Sequence, residues 1–155
     1  MINSRETVEI ALALIAAWEK RDLSAAAHLL ADDFTLTGPA PVPLGKQEFL
    51  GFQAIHNEAF ADWQFNPRAI AVDGQSVELT YQITATHTGA YDVAKLGIPI
   101  PPVAPTGRSR AWPVERMAVA VSEGKVTRID IPNTPGAGVA GTLEWLEVAL
   151  PAAAA

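Results

Sequence analysis

The sequence predicts one α+β domain, helices first and a mostly antiparallel sheet after them. Two observations carry the prediction. Apolar residues recur at helical spacing through the first third of the chain, and after Trp63 the period drops from 3.6 to 2. Across 155 residues no internal repeat or linker divides the chain, and that length suits a single domain able to bury its own core. Residues 1–150 are assigned to the domain and the closing "PAAAA", 151–155, to a tail.

Ser4 can cap a first helix over about 5–20, with Val8, Ala11, Leu12, Ile15 and Trp18 along one face. Asp22 can cap a short second helix over about 23–30. "DDFTLTG" alternates as a strand with Phe34 and Leu36 on one side, and the turn-rich "GPAPVPLG" breaks it. A third helix over about 46–61 sets Phe49, Phe52, His56 and Phe60 in one stripe. Two strands, "WQFNPRAIAV" and "QSVELTYQITATH", then flank Asp73-Gly74, a two-residue hairpin signal. The second turns Val77, Leu79, Tyr81, Ile83, Ala85 and His87 to one face, and Glu78, Thr80, Gln82, Thr84 and Thr86 to the other. A stiff loop with Pro99, Pro101, Pro102 and Pro105 follows. Strands over about 109–122 and 125–131 join at Glu123-Gly124; Pro132 and Pro135 end the sheet. "GAGVAG" leads to a last amphipathic helix over about 142–150.

Composition removes several function classes. Eleven basic against seventeen acidic residues give a net charge of −6, with no Lys/Arg patch to meet phosphates, so no nucleic-acid partner is expected. Without cysteine there is no thiolate nucleophile, disulfide or thiolate metal site. His28, His56 and His87 lie far apart and form neither HxH nor HExxH, so no metal and no cofactor is expected. GxSxG, P-loop and GxGxxG motifs are missing. "MINSRETVEI" lacks a basic start before an apolar run, and "IALALIAAW" is too short to span a bilayer. A cytoplasmic protein without a membrane partner is the expectation.

The pattern points to a pocket for a small apolar organic molecule. Helix stripe and strand alternation independently turn Phe34, Phe49, Phe52, Tyr81 and His87 inward, with the loop 95–105 near the mouth. "GIPIPP" has few backbone donors, so it can cover apolar space without stranding N–H groups, and proline lowers its ordering entropy. Such a loop equally suits a subunit contact. His87 titrates near neutral pH and is a candidate general acid/base; otherwise it hydrogen-bonds the loop and holds it. His56, among phenylalanines, is a pocket-wall or satisfied core residue. Tyr81 can donate to a ligand oxygen or to a backbone carbonyl. Trp112 is a further wall candidate, although tryptophans beside strands more often pack the core. Glu115-Arg116 alternates, so at most one of them faces a pocket. Arg128 and Asp130 share a strand face with Val126. Inward they would polarise a carbonyl or epoxide; outward they are a solvated ion pair or part of a dimer surface.

Taken in order, "LLADDFTLTGP" from Leu29, "GKQEFLGFQAIHNEAFADW" from Gly45, "THTGAYD" from Thr86, "PTGR" from Pro105 and "EGKVTRIDIPNTPGAGVAG" from Glu123 resemble the SnoaL-like branch of the nuclear transport factor 2-like superfamily, the polyketide and "ester" cyclases. The resemblance covers nearly the whole chain. It implies a cone of helices and curved sheet around a pocket, and cofactor-independent ring closure or isomerisation of a small polyketide-like molecule. In SnoaL-like cyclases the acid/base aspartate lies on the strand after a "GK" turn. Asp130 is the only carboxylate on that strand here and stands one residue earlier, and one residue turns a strand side chain to the other face. In steroid isomerases of this fold a segment similar to "ADDFTLTGP" carries the base where Gly38 stands, and glycine takes no proton. Limonene epoxide hydrolases of the fold use two aspartates around an arginine; beside Arg128 and Asp130 no second aspartate is evident.

Two readings follow. In the first, an enzyme, His87 or Asp130 moves a proton while Tyr81 or His56 stabilises an oxyanion. In the second, the chain is a non-catalytic small-molecule-binding or dimeric interaction protein of the same fold. Thr80, Gln82, Thr84 and Thr86 suit a homodimer packed sheet on sheet.

Overall fold

Apolar residues at i, i+3, i+4 and i+7 give α1 (Ser4–Glu19) a buried stripe of Ala11, Leu14, Ile15 and Trp18, with Val8 and Leu12 half-buried at its margins. The computed structural model describes residues 4–149, so the expected tail over 151–155 and the end of the expected last helix at Leu150 lie outside the described residues. Asp22 caps α2 (Leu23–Leu29) as expected, its Oδ1 accepting the Ala25 N–H at 3.0 Å. β1 (Leu30–Thr37) buries Phe34 and Leu36, and α3 (Lys46–Ala59) follows, with Phe49, Phe52 and His56 on its buried face and Phe60 just past its end.

Strands β2 (Pro67–Asp73), β3 (Ser76–Tyr81), β6 (Glu115–Ser122) and β7 (Lys125–Asp130) join β1 in a sheet of order β1-β7-β6-β3-β2, antiparallel except where β1 meets β7. β4 (Thr84–Thr86) and β5 (Ser109–Ala111) form a second, two-stranded sheet. The helices pack on one face of the larger sheet, and Trp18 is the hub: its ring lies 5.4 Å from Phe49, 5.9 Å from Phe52 and 5.1 Å from Phe65, and stacks on Trp63 at 5.9 Å. Each such fully buried large apolar side chain contributes roughly 1.5–3 kcal/mol.

The structure corrects five details of the expected layout. The strand expected over 75–87 keeps its alternation, with Val77 to His87 all buried on one face, but β3 ends at Tyr81 and the chain changes partner before β4. The strand expected over 109–122 is cut at Trp112–Val114, because Pro113 has no N–H to give a ladder. The hairpin turn is Gly74-Gln75, not Asp73-Gly74, since Asp73 pairs with Ser76. The last helix, α4 (Gly138–Trp145), starts four residues early: the "GVAG" of "GAGVAG" is its first turn, Ala137 is its N-cap, and Gly141 lies so close to Gly136 that a Cβ would sit 2.2 Å from its carbonyl. Finally, Arg128 and Asp130 do not share a face with Val126. Val126 pairs with Val121 and Arg128 with Ala120, so Thr127 is one residue too many for the ladder; this bulge reverses the phase and leaves Val126 and Ile129 buried while Arg128 and Asp130 point out.

The proline loop is pinned at its base. Thr88 and Gly89 both donate N–H to the Ala59 carbonyl, at 3.0 and 3.1 Å, and Tyr91 and Val103 exchange two backbone hydrogen bonds of 2.9 Å. Between them runs a single 3-10 turn, Val93–Leu96.

Candidate active site

Inside the cone lies an apolar cavity of about 50 Å³, and outside it a cleft of about 640 Å³. Pro39, Glu115, Ile131 and Gly138 line both. The cleft runs between Gly38–Pro41, Gly97–Pro99 of the proline loop and the first turn of α4. Glu115 is the one titratable side chain on the cleft among the described residues; the cavity adds His56 and Tyr81.

Glu115 is in phase with the buried run Met117, Val119 and Val121 along β6, while Arg116 points out. It stands directly opposite Tyr81 across the β3–β6 ladder, which sets the Tyr81 phenol beside its carboxyl, close enough for each to shift the other. Glu115 as a residue is only 5% exposed. Burial pushes it up to about 7, although the Arg110 charge and the Tyr81 hydrogen bond pull the other way. Burial, then the Glu115 charge beside it, pushes the Tyr81 phenol up as well. Arg110 lies over the rings of Trp112 and Trp145, at 5.1 and 5.6 Å, so its cation is fixed by packing.

His56 lines the cavity with both ring nitrogens committed. Nδ1–H donates to the Phe52 carbonyl at 2.8 Å, and Nε2 accepts from the Tyr91 hydroxyl at 2.9 Å. Burial pushes the imidazole down to about 4, so it is neutral at physiological pH. Trp112 Nε1–H donates to Thr142 Oγ1 at 3.0 Å, and that hydroxyl donates to the Gly138 carbonyl at 2.8 Å.

Of the residues singled out in the sequence, Phe49, Phe52, His56, Tyr81 and Trp112 come together around the cavity, and Phe34 stands behind Phe49 at 5.1 Å. His87 and Asp130 are brought to neither space. His87 is buried, but its Nδ1 accepts the Thr106 N–H at 3.2 Å and lies 3.0 Å from the Thr106 hydroxyl, so the ring ties the start of the loop to its end. Asp130 accepts from Arg128 Nε at 2.7 Å and from the Thr37 hydroxyl on the outer face; the Arg128 bond holds it below the ordinary carboxylate range. Gly38 lies on the cleft with φ +122°, where a Cβ would meet the Ile131 carbonyl oxygen at 1.9 Å, so no carboxylate fits there. Glu115 is the functional candidate that the sequence reading left open. Its signal was the period-2 phase it shares with Met117, Val119 and Val121.

A carboxyl that titrates near neutrality against an apolar wall can both take and return a proton. Among the described residues no three His, Cys, Asp or Glu side chains gather into a metal site, and no helix is long and apolar enough to cross a membrane.

The fold is that of several solved structures. It is similar to AclR, a candidate hydroxylase from Streptomyces galilaeus, at 22% identity and a TM-score of 0.71 over 93% of this chain and 97% of that one. It is similar to a candidate SnoaL-like polyketide cyclase from Jannaschia sp. CCS1, at 17% identity and a TM-score of 0.68 over 84% and 87%. IdmH, a candidate polyketide cyclase from Streptomyces antibioticus, is 19% identical with a TM-score of 0.68 over 88% and 97%. At such identities these likenesses show the fold alone. No match to the chain was found among curated proteins. The family model of the SnoaL-like domain matches residues 11–129, which is most of the chain. With its cone of helices and curved mixed sheet, the chain belongs to the SnoaL-like domain family within the nuclear transport factor 2-like fold.

Proposed function

We propose that this protein is a cofactor-independent acid/base enzyme acting on a small apolar oxygenated molecule, with Glu115 as the group that moves the proton. The single observation that carries this is the placement of one buried, near-neutral carboxyl on the boundary between the apolar cavity and the open cleft. The Glu115 carboxylate removes a proton from a carbon next to a carbonyl, and the electron pair of that C–H bond moves onto the carbonyl oxygen as an enolate. As Glu115 takes the proton it stops being a charged acceptor, which frees the Tyr81 hydroxyl to donate to the enolate oxygen. The enolate carbon then attacks a second carbonyl, closing a ring, with the Glu115 proton passing to the new alkoxide; where the enolate is conjugated with a C=C bond, the Glu115 proton instead returns to the far carbon of that dienolate and the double bond shifts. The candidate polyketide cyclases among the similar structures favour ring closure.

The test is deuterium exchange next to the carbonyl of small apolar ketones and 1,3-diketones in D2O, followed by NMR. The parent exchanges these positions faster than buffer and Glu115→Gln does not. Exchange by Glu115→Gln at the parent rate would replace this reading with a binding module of the same fold. A homodimer is part of the same reading, packed through the outer face on which Thr80, Gln82, Thr84 and Thr86 are half-buried beside the small Ala118 and Ala120. Sedimentation giving a monomer of 16.4 kDa at micromolar concentration would overturn that part.

A further inference from the structure

A third space stands apart from the cavity and the cleft. It is a groove of about 820 Å³ between α3 and the loop that runs from Ala90 to Pro102, and it shares no lining residue with either of them. Its lining is mainly apolar, with Leu44, Ala54, Ile55 and Leu96 along it. Val42 at its edge is 60% exposed, the most open large apolar side chain among the described residues. Gly51 lines the same groove from inside α3, where glycine is less stable than alanine. Beyond its own turns of helix, nothing in the chain comes within 4 Å of where its Cβ would be, so the packing of the fold does not call for a glycine there. A bare helix backbone lets a molecule from outside lie close against α3.

The charge around that lining is unbalanced. Glu48, Glu58 and Asp92 line the groove against one cation, Lys95, which pairs with Asp92 at 3.8 Å. Glu48 and Glu58 make no ion pair among the described residues. A rise of about 1.5 Å per residue sets them about 15 Å apart along α3, with Gly51, Ala54 and Ile55 between. We infer that the groove binds a linear aliphatic molecule with an ammonium group at each end, its chain lying across Gly51 and its two charges at Glu48 and Glu58. The volume is that of a small-molecule site. The ends are cationic because an anion would meet unpaired carboxylates, and the middle is uncharged because the apolar lining gives a charge nothing to pair with. Lys95 and Leu96 wall this groove and the next residues, Gly97–Pro99, wall the cleft, so the bound chain rests behind one wall of the cleft that holds Glu115. The inference goes beyond the acid/base reading and does not depend on it.

The experiment titrates the 15N-labelled protein with 1,8-diaminooctane, whose ammonium groups lie about 11 Å apart when extended and so come within reach of both glutamates. The controls are 1,8-octanediol, the neutral isostere, and octanedioate, the dianion. The diamine shifts the backbone amides of Gly51, Ala54, Ala90 and Leu96, the diol binds at least about tenfold more weakly, and octanedioate shifts none of them. Raising NaCl from about 20 mM to about 300 mM weakens the diamine severalfold. Gly51→Ala is the sharpest variant. It melts no lower than the parent, since alanine is the better helix former, yet binds the diamine at least about threefold more weakly because its methyl takes the contact. Glu58→Gln weakens the diamine and leaves the diol within about twofold. A diol that binds as tightly as the diamine overturns the inference. So does a diamine whose binding Gly51→Ala leaves unchanged, which would mark loose attraction to an acidic surface. Glu115→Gln binds the diamine as the parent does, so the loss of this site and the loss of ketone exchange are read independently.

Discussion

Glu115 on β6 and Asp130 on β7 are carboxylates on adjacent antiparallel strands, and they end up as chemical opposites. Glu115 faces the cavity beside Tyr81, and burial lifts it to about 7. Asp130 faces outward between Arg128 and Thr37, and the guanidinium holds it low. Strand face alone makes one a buried carboxyl that titrates near neutrality and the other a surface ion pair. A carboxylate titrates near pH 7 when removal from water outweighs its cation: burial of Glu115 outweighs Arg110, whereas at the half-exposed Asp130 the Arg128 bond dominates.

The largest effect that tests this contrast is on turnover. Glu115→Gln should lower ketone exchange about 10²–10⁴-fold, the usual worth of a general acid/base, while Asp130→Asn should leave it within about twofold. Equal losses in the two variants would erase the distinction between the faces.

The pH dependence of stability is the next largest effect. The folded Glu115 carboxyl titrates near 7 and the unfolded one near 4.5, so the folded state binds the extra proton between those values. Stability from this group is therefore full below about pH 4.5 and falls as pH rises through 7, by on the order of 3 kcal/mol. His56 has the opposite sign: its folded value near 4 lies below the ordinary 6.5, so its contribution is lost as pH falls through that window. Urea titrations of parent and Glu115→Gln from pH 4.5 to 8 should show the parent losing ground to the variant as pH rises. A constant difference between them would contradict the buried-carboxyl assignment.

His87 supplies a third case, buried but away from both spaces. His87→Ala strands the Thr106 N–H and should lower stability by about 1–3 kcal/mol, a fall in Tm of roughly 2–12 °C, with turnover changed by less than about threefold. A turnover loss of 10² without a stability change would return the proton to His87. The smallest effect is on the outer face, where Asp130→Asn should lower stability by less than about 1 kcal/mol, because both partners of the ion pair are solvated. A larger loss in thermal melts would mean that this face is covered.

Much of this was legible in the sequence, because periodicity reports which way side chains point. The stripe of Phe49, Phe52 and His56 and the alternation from Val77 to His87 follow from spacing alone, and of these residues Phe49, Phe52, His56, Tyr81 and Ile83 line the cavity. What stayed illegible depends on ladders between strands. The Thr127 bulge that turns Asp130 outward is set by how β7 pairs with β6, and no local residue preference announces it. Glu115 followed Pro113, a break that obscured its phase, and its partner Tyr81 is 34 residues earlier in the chain. His87 read correctly as buried, yet burial does not distinguish a cavity wall from a loop anchor; only its bond to Thr106 does.

The clearance at Gly38 bears on how this protein can change. With the Ile131 carbonyl 1.9 Å from where a Cβ would begin, and a left-handed backbone besides, every point substitution at that position collides before its side chain is considered. A lineage carrying this chain cannot acquire an isomerase-type carboxylate at position 38 in one step. It must first move the end of β7, and any engineer grafting that chemistry onto this scaffold inherits the same order of operations.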